Sequence, residues 1–134
     1  MVNEGDQYRE EFSYSQKHVD DFARLCGDTN PIHLDAEYAA TTAFKKPIMH
    51  GMIGGSVISR VFGITFHGGG FIYVSQLLDF KRPMFVDTTY EIIVTVKHVD
   101  REKHIATIST EIFDKAMNKL CIGGEAKLLH KDKI

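Results

Sequence analysis

One segment limits what this chain can fold into more than any other. Residues 50–62 carry Met52, Ile53, Val57, Ile58, Val61 and Phe62, so a helix from His50 to Phe62 is apolar on most of its circumference. Such a helix is buried rather than laid on a surface. The same span holds Gly51, Gly54, Gly55 and Ser56. Glycine in a helix costs roughly 1 kcal/mol relative to alanine. Several near one helix start mean that a backbone or a ligand must come close there.

Something has to wrap this helix, and the C-terminal half supplies it. After Gly63 the pattern changes to period two or to apolar runs. Phe71–Phe80, Thr88–Val99, His104–Phe113 and Lys119–Leu129 read as strands rich in Val, Ile, Thr, Tyr and Phe. Residues 67–70 read as a flexible turn, and 100–103 and 114–118 as hairpin connections. Upstream, Tyr8–Tyr14 reads as a short strand. Ser15 then caps a helix over Gln16–Leu25, and Asp35–Thr42 forms a second, shorter one. The expected fold class is α+β, an antiparallel sheet curled around a long central helix in two layers.

The helix that ends at Leu25 delivers the chain to Cys26-Gly27-Asp28-Thr29-Asn30-Pro31-Ile32-His33. Gly27 stops the helix, and Pro31 biases Asn30 away from the α region. The segment is therefore expected to be a bent loop that is not helical. A bend there can turn Asp28 and His33 to one point, which is what proton-transfer chemistry near neutral pH needs. The same residues are also plain turn chemistry, since Asp and Asn bond their own backbone. From these eight residues alone the two readings stand level.

The chain has 134 residues and a net charge of −2, which suits one domain and gives no nucleic-acid footprint. Cys26 and Cys121 have no CxxC spacing and read as reduced thiols. The N-terminal residues are charged, with no signal-peptide pattern, and no stretch has the length of a membrane span. A soluble cytoplasmic protein without a membrane or nucleic-acid partner is expected. The histidines form no HExxH or comparable spacing, so no metal is expected. Lys45, Lys46, Lys81 and Arg82 are either a solvated face or contacts for phosphates.

Gly27-Asp28-x-Asn30-Pro31-x-His33, followed by Asp35 and Ala39-Ala40, resembles the hydratase-2 signature of the MaoC-like, (R)-specific enoyl-CoA hydratases. The block Ala43 to Met52, with Pro47, His50 and Gly51, resembles the segment that follows it. Phe80-Lys81-x-Pro83-x-Phe85 and Gly123-Gly124-Glu125-Ala126 extend the likeness over nearly the whole chain. The resemblance implies a single hotdog domain over 1–134. It also implies reversible addition of water to a trans-2-enoyl-CoA, giving an (R)-3-hydroxyacyl-CoA. Asp28 and His33 would be the acid–base dyad holding one water, and the Gly51 backbone amide would polarise the thioester carbonyl. Asn30, His50 and Ser59 would support the site or contact substrate, each with a bland alternative: a turn residue, a capping histidine, a small packing residue. No cofactor is expected, because coenzyme A is part of the substrate. Hotdog proteins generally pair, so a homodimer is expected, with higher assembly open. The alternatives are a dehydratase of an unusual acyl-CoA or acyl-carrier-protein thioester, and a non-catalytic acyl-thioester-binding subunit.

Overall fold

The computed structural model describes all 134 residues. Five strands form one antiparallel sheet: β1 (Gln7–Phe12), β2 (Ile72–Phe80), β3 (Tyr90–Asp100), β4 (Ile105–Asp114) and β5 (Lys119–Leu129), in the order β1-β3-β4-β5-β2. Four helices precede β2: α1 (Gln16–Cys26), α2 (Pro31–Leu34), α3 (Ala36–Ala40) and α4 (Gly51–Arg60). The sheet curls over α4, which is the hotdog arrangement implied by the resemblance.

β3 and β4 alternate between buried and half-buried positions along most of their length. Their inward residues, Tyr90, Ile92, Val94, Val96, Ala106, Ile108 and Ile112, meet Ile53, Val57, Ile58 and Phe62 from the helix in one apolar cluster. Each fully buried side chain of this size is worth about 1.5–3 kcal/mol. Gly54 sets how near the two layers come. A Cβ there would lie 2.3 Å from Ile122 Cδ1. Within the chain, the close neighbours of the α4 glycines are side chains of the sheet and of Met52 rather than backbone.

The central helix differs from expectation in two ways. It runs on past Phe62 through a π-helical turn, Val61–Thr65, and a 3₁₀ turn, Phe66–Gly68, so Gly63 lies inside it. It is also buried on one side only. Ile53, Gly54, Val57 and Ile58 face the sheet, while Met52 is 56% exposed and Ser56 and Ser59 are open. Apolar composition all round signals burial, yet nothing in a single chain covers that second face.

Residues 67–70, a turn as expected, are tied by hydrogen bonds to distant parts of the chain. Lys133 Nζ donates to the carbonyls of His67 (3.0 Å) and Gly69 (2.6 Å), and the Gly70 N–H donates to Gly63 at 2.9 Å. Strand β2, which begins just beyond them, is an edge strand exposed along most of its length, with Ile72, Val74, Leu77 and Phe80 all open. The opposite edge, β1, carries Arg9, Glu10 and Glu11.

Candidate active site

Helix α1 buries Val19 and Ala23 and ends at Gly27, whose N–H returns to the Ala23 carbonyl at 2.8 Å with φ +79°. Asp28 follows at once. Its Oδ1 accepts from the Asn30 N–H at 3.2 Å, and the Asn30 Oδ1 accepts in turn from the Ile32 N–H at 3.1 Å. These bonds order the loop and cap α2. Contrary to the sequence expectation, the segment does turn helical: Pro31 opens the single turn of α2, where a missing N–H costs nothing. Turn chemistry and a paired Asp–His prove compatible. One Asp28 oxygen makes the turn, and the other, Oδ2, stands 3.8 Å from His33 Nε2.

His33 is buried, and its tautomer is fixed. Its Nδ1 lies 2.8 Å from the Ile48 carbonyl oxygen, which can only accept, so Nδ1 carries the proton. In the neutral ring Nε2 then presents a lone pair toward Asp28. His50 is held in the same manner. Its Nε2 lies 2.9 Å from the backbone carbonyl of Asp28 and donates to it. The two imidazoles stack with centroids 3.9 Å apart. Phe22 packs on the far side of His50 at 5.0 Å. The His50 Nδ1 is buried and has no hydrogen-bond partner.

Asp28, His33 and His50 bring three possible metal-ligand atoms within 4.8 Å of one another. With its Nε2–H donated to the Asp28 carbonyl, His50 offers no lone pair from that nitrogen toward Asp28 and His33.

His50 is also the N-cap of α4, and Gly51 is its first residue. Of the first-turn N–H groups, that of Ile53 returns to the His50 carbonyl at 3.0 Å, and no side chain caps those of Gly51 and Met52. His33 and Gly51 line one cleft of about 540 Å³, with Phe44, Met49, Phe80 and Met84 among its apolar walls. The Phe80 ring lies flush on Gly51, since a Cβ there would be 2.6 Å from Phe80 Cε1. Ser59 is not brought to this cleft. It lies eight residues along α4, about 12 Å at helical rise, in a second hollow of about 410 Å³ with Phe22, Tyr73, Gln76 and Leu78. Met52 forms a wall common to both. In the second hollow the Tyr73 hydroxyl donates to Gln76 Oε1 at 2.9 Å, and burial pushes its phenol up to about 12.

The backbone acceptor at Ile48 and the ring of Phe22 were not singled out in the sequence. A carbonyl carries no residue signature, and Phe22 reads only as the apolar face of α1.

The MaoC-like domain model matches residues 2–118. The chain belongs to the MaoC-like domain family. Within it, the chain is 45% identical to the (R)-specific enoyl-CoA hydratase of Aeromonas caviae over 78% of either sequence. It is 32% identical to a mitochondrial 3-hydroxyacyl-[acyl-carrier-protein] dehydratase of Arabidopsis thaliana, over 94% of this chain and 76% of that one. A solved structure described as an (R)-hydratase from A. caviae involved in PHA biosynthesis superposes with a TM-score of 0.91, covering 96% of both chains at 39% identity. That solved structure shares the hotdog architecture seen here.

Proposed function

We propose that this MaoC-like chain is an (R)-specific enoyl-CoA hydratase, a hydro-lyase that adds water reversibly to a trans-2-enoyl-CoA. The observation that carries the reading is the 3.8 Å gap between Asp28 Oδ2 and His33 Nε2. It is too wide for a direct bond, and it suits one water oxygen about 2.8 Å from each atom. His33 Nε2 carries the lone pair and takes a proton from that water. The Asp28 carboxylate accepts a hydrogen bond from the hydrogen that stays on the water oxygen and orients that oxygen toward the β-carbon. As the new C–O bond forms, the C=C electron pair shifts toward the thioester oxygen. The Gly51 N–H, at the positive end of α4, stabilises that charge. The imidazolium then returns its proton to the α-carbon, which restores the carbonyl and leaves a 3-hydroxyacyl thioester. Water and proton come from one side, which makes the addition syn, and the face of the β-carbon turned toward the water sets the (R) configuration. His50 supports the site by holding the Asp28 backbone, and Asn30 by ordering the loop. Ser59 belongs to the acyl end.

No cofactor is used, because coenzyme A arrives as part of the substrate. The exposed β2 edge and the uncovered face of α4 support a homodimer. Cys26 and Cys121 are free thiols, which supports a cytoplasmic setting. No helix is long and apolar enough to cross a membrane. A second reading, a carrier-protein thioester as substrate, is favoured by the Arabidopsis relative. A non-catalytic binding subunit is disfavoured, because both Asp28 and His33 are in place.

The test is loss of enoyl-thioester absorbance with crotonyl-CoA, with product chirality read in the same experiment. Hydration to the (R)-product should fall roughly 10²–10⁴-fold in folded Asp28→Asn and His33→Ala variants. A wild type inert on short and longer enoyl-CoA substrates sinks the reading.

A further inference from the structure

Of the side chains that line the second hollow, Phe22 is the one whose ring packs on His50. It stands on α1 between the buried Val19 and Ala23, and it is itself half-buried against the core. Its ring meets the His50 imidazole with centroids 5.0 Å apart and planes at 57°. The same ring walls the hollow beside Met52 and Ser59 of α4 and Tyr73 of β2. His50 itself lines neither hollow.

His50 depends on such a neighbour. Its Nε2–H makes one hydrogen bond, to the Asp28 carbonyl, and its buried Nδ1 makes none. An imidazole tied at both nitrogens has its plane fixed by those bonds. Tied at one, it can pivot, and its plane is set by what packs against it. Here that is His33, stacked at 3.9 Å with planes at 27°, and Phe22. Phe22 thus completes a row of three rings that starts at the second hollow and ends at His33.

The hollow lies within reach of a long acyl chain and beyond a short one. Gly55, the first α4 residue of the hollow after Met52, is four positions from Gly51, about 6 Å at helical rise. Three bonds of an extended chain span roughly 3.5 Å. A four-carbon acyl group has its tip three bonds from the carbonyl carbon and stops short. An eight-carbon group has seven, and enters.

We propose that Phe22 is a positioning residue, through which an acyl chain in the second hollow presses on His50 and so fixes Asp28 and His33. This rests on the hydratase reading above, with the second hollow as the acyl end. Contact passes from ring to ring, so binding energy gained at the far end of the chain is spent on geometry at the reacting end. The signature lies in kcat, since a misplacement near 1 Å costs about 10²-fold in rate.

The experiment is steady-state hydration of crotonyl-CoA and trans-2-octenoyl-CoA by wild type, Phe22→Leu and Phe22→Tyr, with folding checked by thermal melt. Wild type should show a kcat roughly tenfold higher on the octenoyl chain than on the crotonyl one. Phe22→Leu keeps apolar bulk and loses the ring. The ratio of the two kcat values should fall to about one, while KM for octenoyl-CoA moves less than about threefold. Phe22→Tyr keeps the ring and should keep the ratio. If Phe22→Leu does not fold, Phe22→Met carries the same test. A wild-type ratio at or below one, a ratio that survives loss of the ring, an effect confined to KM, or a Phe22→Tyr that behaves as Phe22→Leu overturns the proposal and leaves the hydratase reading in place. A wild type inert on both substrates sinks the hydratase reading and this proposal with it.

Discussion

His50 hangs the Asp28 loop from the start of the central helix: its Nε2–H donates to the Asp28 carbonyl at 2.9 Å while its ring stacks on His33 at 3.9 Å. One side chain therefore braces both Asp28 and His33.

Replacing it should separate positioning from chemistry. His50→Leu keeps apolar bulk and removes the donor, leaving a carbonyl unpaired. Stability should fall by about 1–3 kcal/mol. Crotonyl-CoA turnover should fall roughly 10²-fold, the scale of a displacement near 1 Å. Steady-state kinetics beside a denaturant melt measure both. Unchanged kcat in a destabilised variant would mean that the loop keeps its geometry without this bond.

The contact between helix and sheet at Gly54 can be tested by paired substitution. Gly54→Ala places a methyl group 2.3 Å from Ile122 Cδ1. Overpacking of this kind costs typically about 1–3 kcal/mol, against a gain near 1 kcal/mol in helix propensity. Ile122→Val removes the offending carbon. The double variant should therefore be more stable than Gly54→Ala alone, as read by urea midpoint. Additive losses would show that the backbone, not Ile122, sets the spacing.

Tyr73 gives the fold an alkaline limit. Burial raises its phenol to about 12 from an ordinary 10.0. The folded state therefore holds a proton that the unfolded state has already lost. The resulting stability is complete below pH 10 and is lost as pH rises toward 12. Burial also raises the Tyr90 phenol, so ultraviolet titration should show a late-ionising component that Tyr73→Phe shrinks, and that variant should flatten the fall in stability above pH 10. A late component undiminished by Tyr73→Phe would assign it to Tyr90 alone.

Strand β2 should be where two copies meet. Val74 and Leu77 are 50% and 56% exposed on an edge with no partner strand beyond it. Val74→Lys with Leu77→Lys should convert a dimer to a monomer by sedimentation velocity, as charge at an edge blocks pairing. A dimer that persists would place the interface elsewhere, with the open face of α4 the next candidate.

Much of this fold was legible because alternation is a direct image of a half-buried sheet. In β3 the residues Tyr90, Ile92, Val94 and Val96 face inward one after another, and β4 repeats the pattern. The central helix was over-read for a physical reason. Met52 is apolar whether this chain or another molecule covers it, so composition reports that a face must be covered, not by what. Asp28 and His33 were legible from type and spacing, and the helical turn at Pro31 was not, because Asn30 and Pro31 signal a turn and a helix start equally well. What fixes the site lies mostly in backbone carbonyls, at Ile48 and at Asp28, and these leave no mark in a string of side chains. Ser59 was expected near the dyad. Its place in a separate hollow follows from helical rise, which puts it two turns from Gly51.

The two edges of the sheet are chemically unlike, and this bears on how assembly stops. One edge, β1, is studded with Arg9, Glu10 and Glu11, and the other, β2, exposes Ile72, Val74, Leu77 and Phe80. A sheet that was adhesive at both ends would propagate, each added copy offering a fresh end, until it became a fibre. Pairing through β2 would join like to like and use up the adhesive end of each partner. What would remain outward on both sides is the charged strand, a chain terminator.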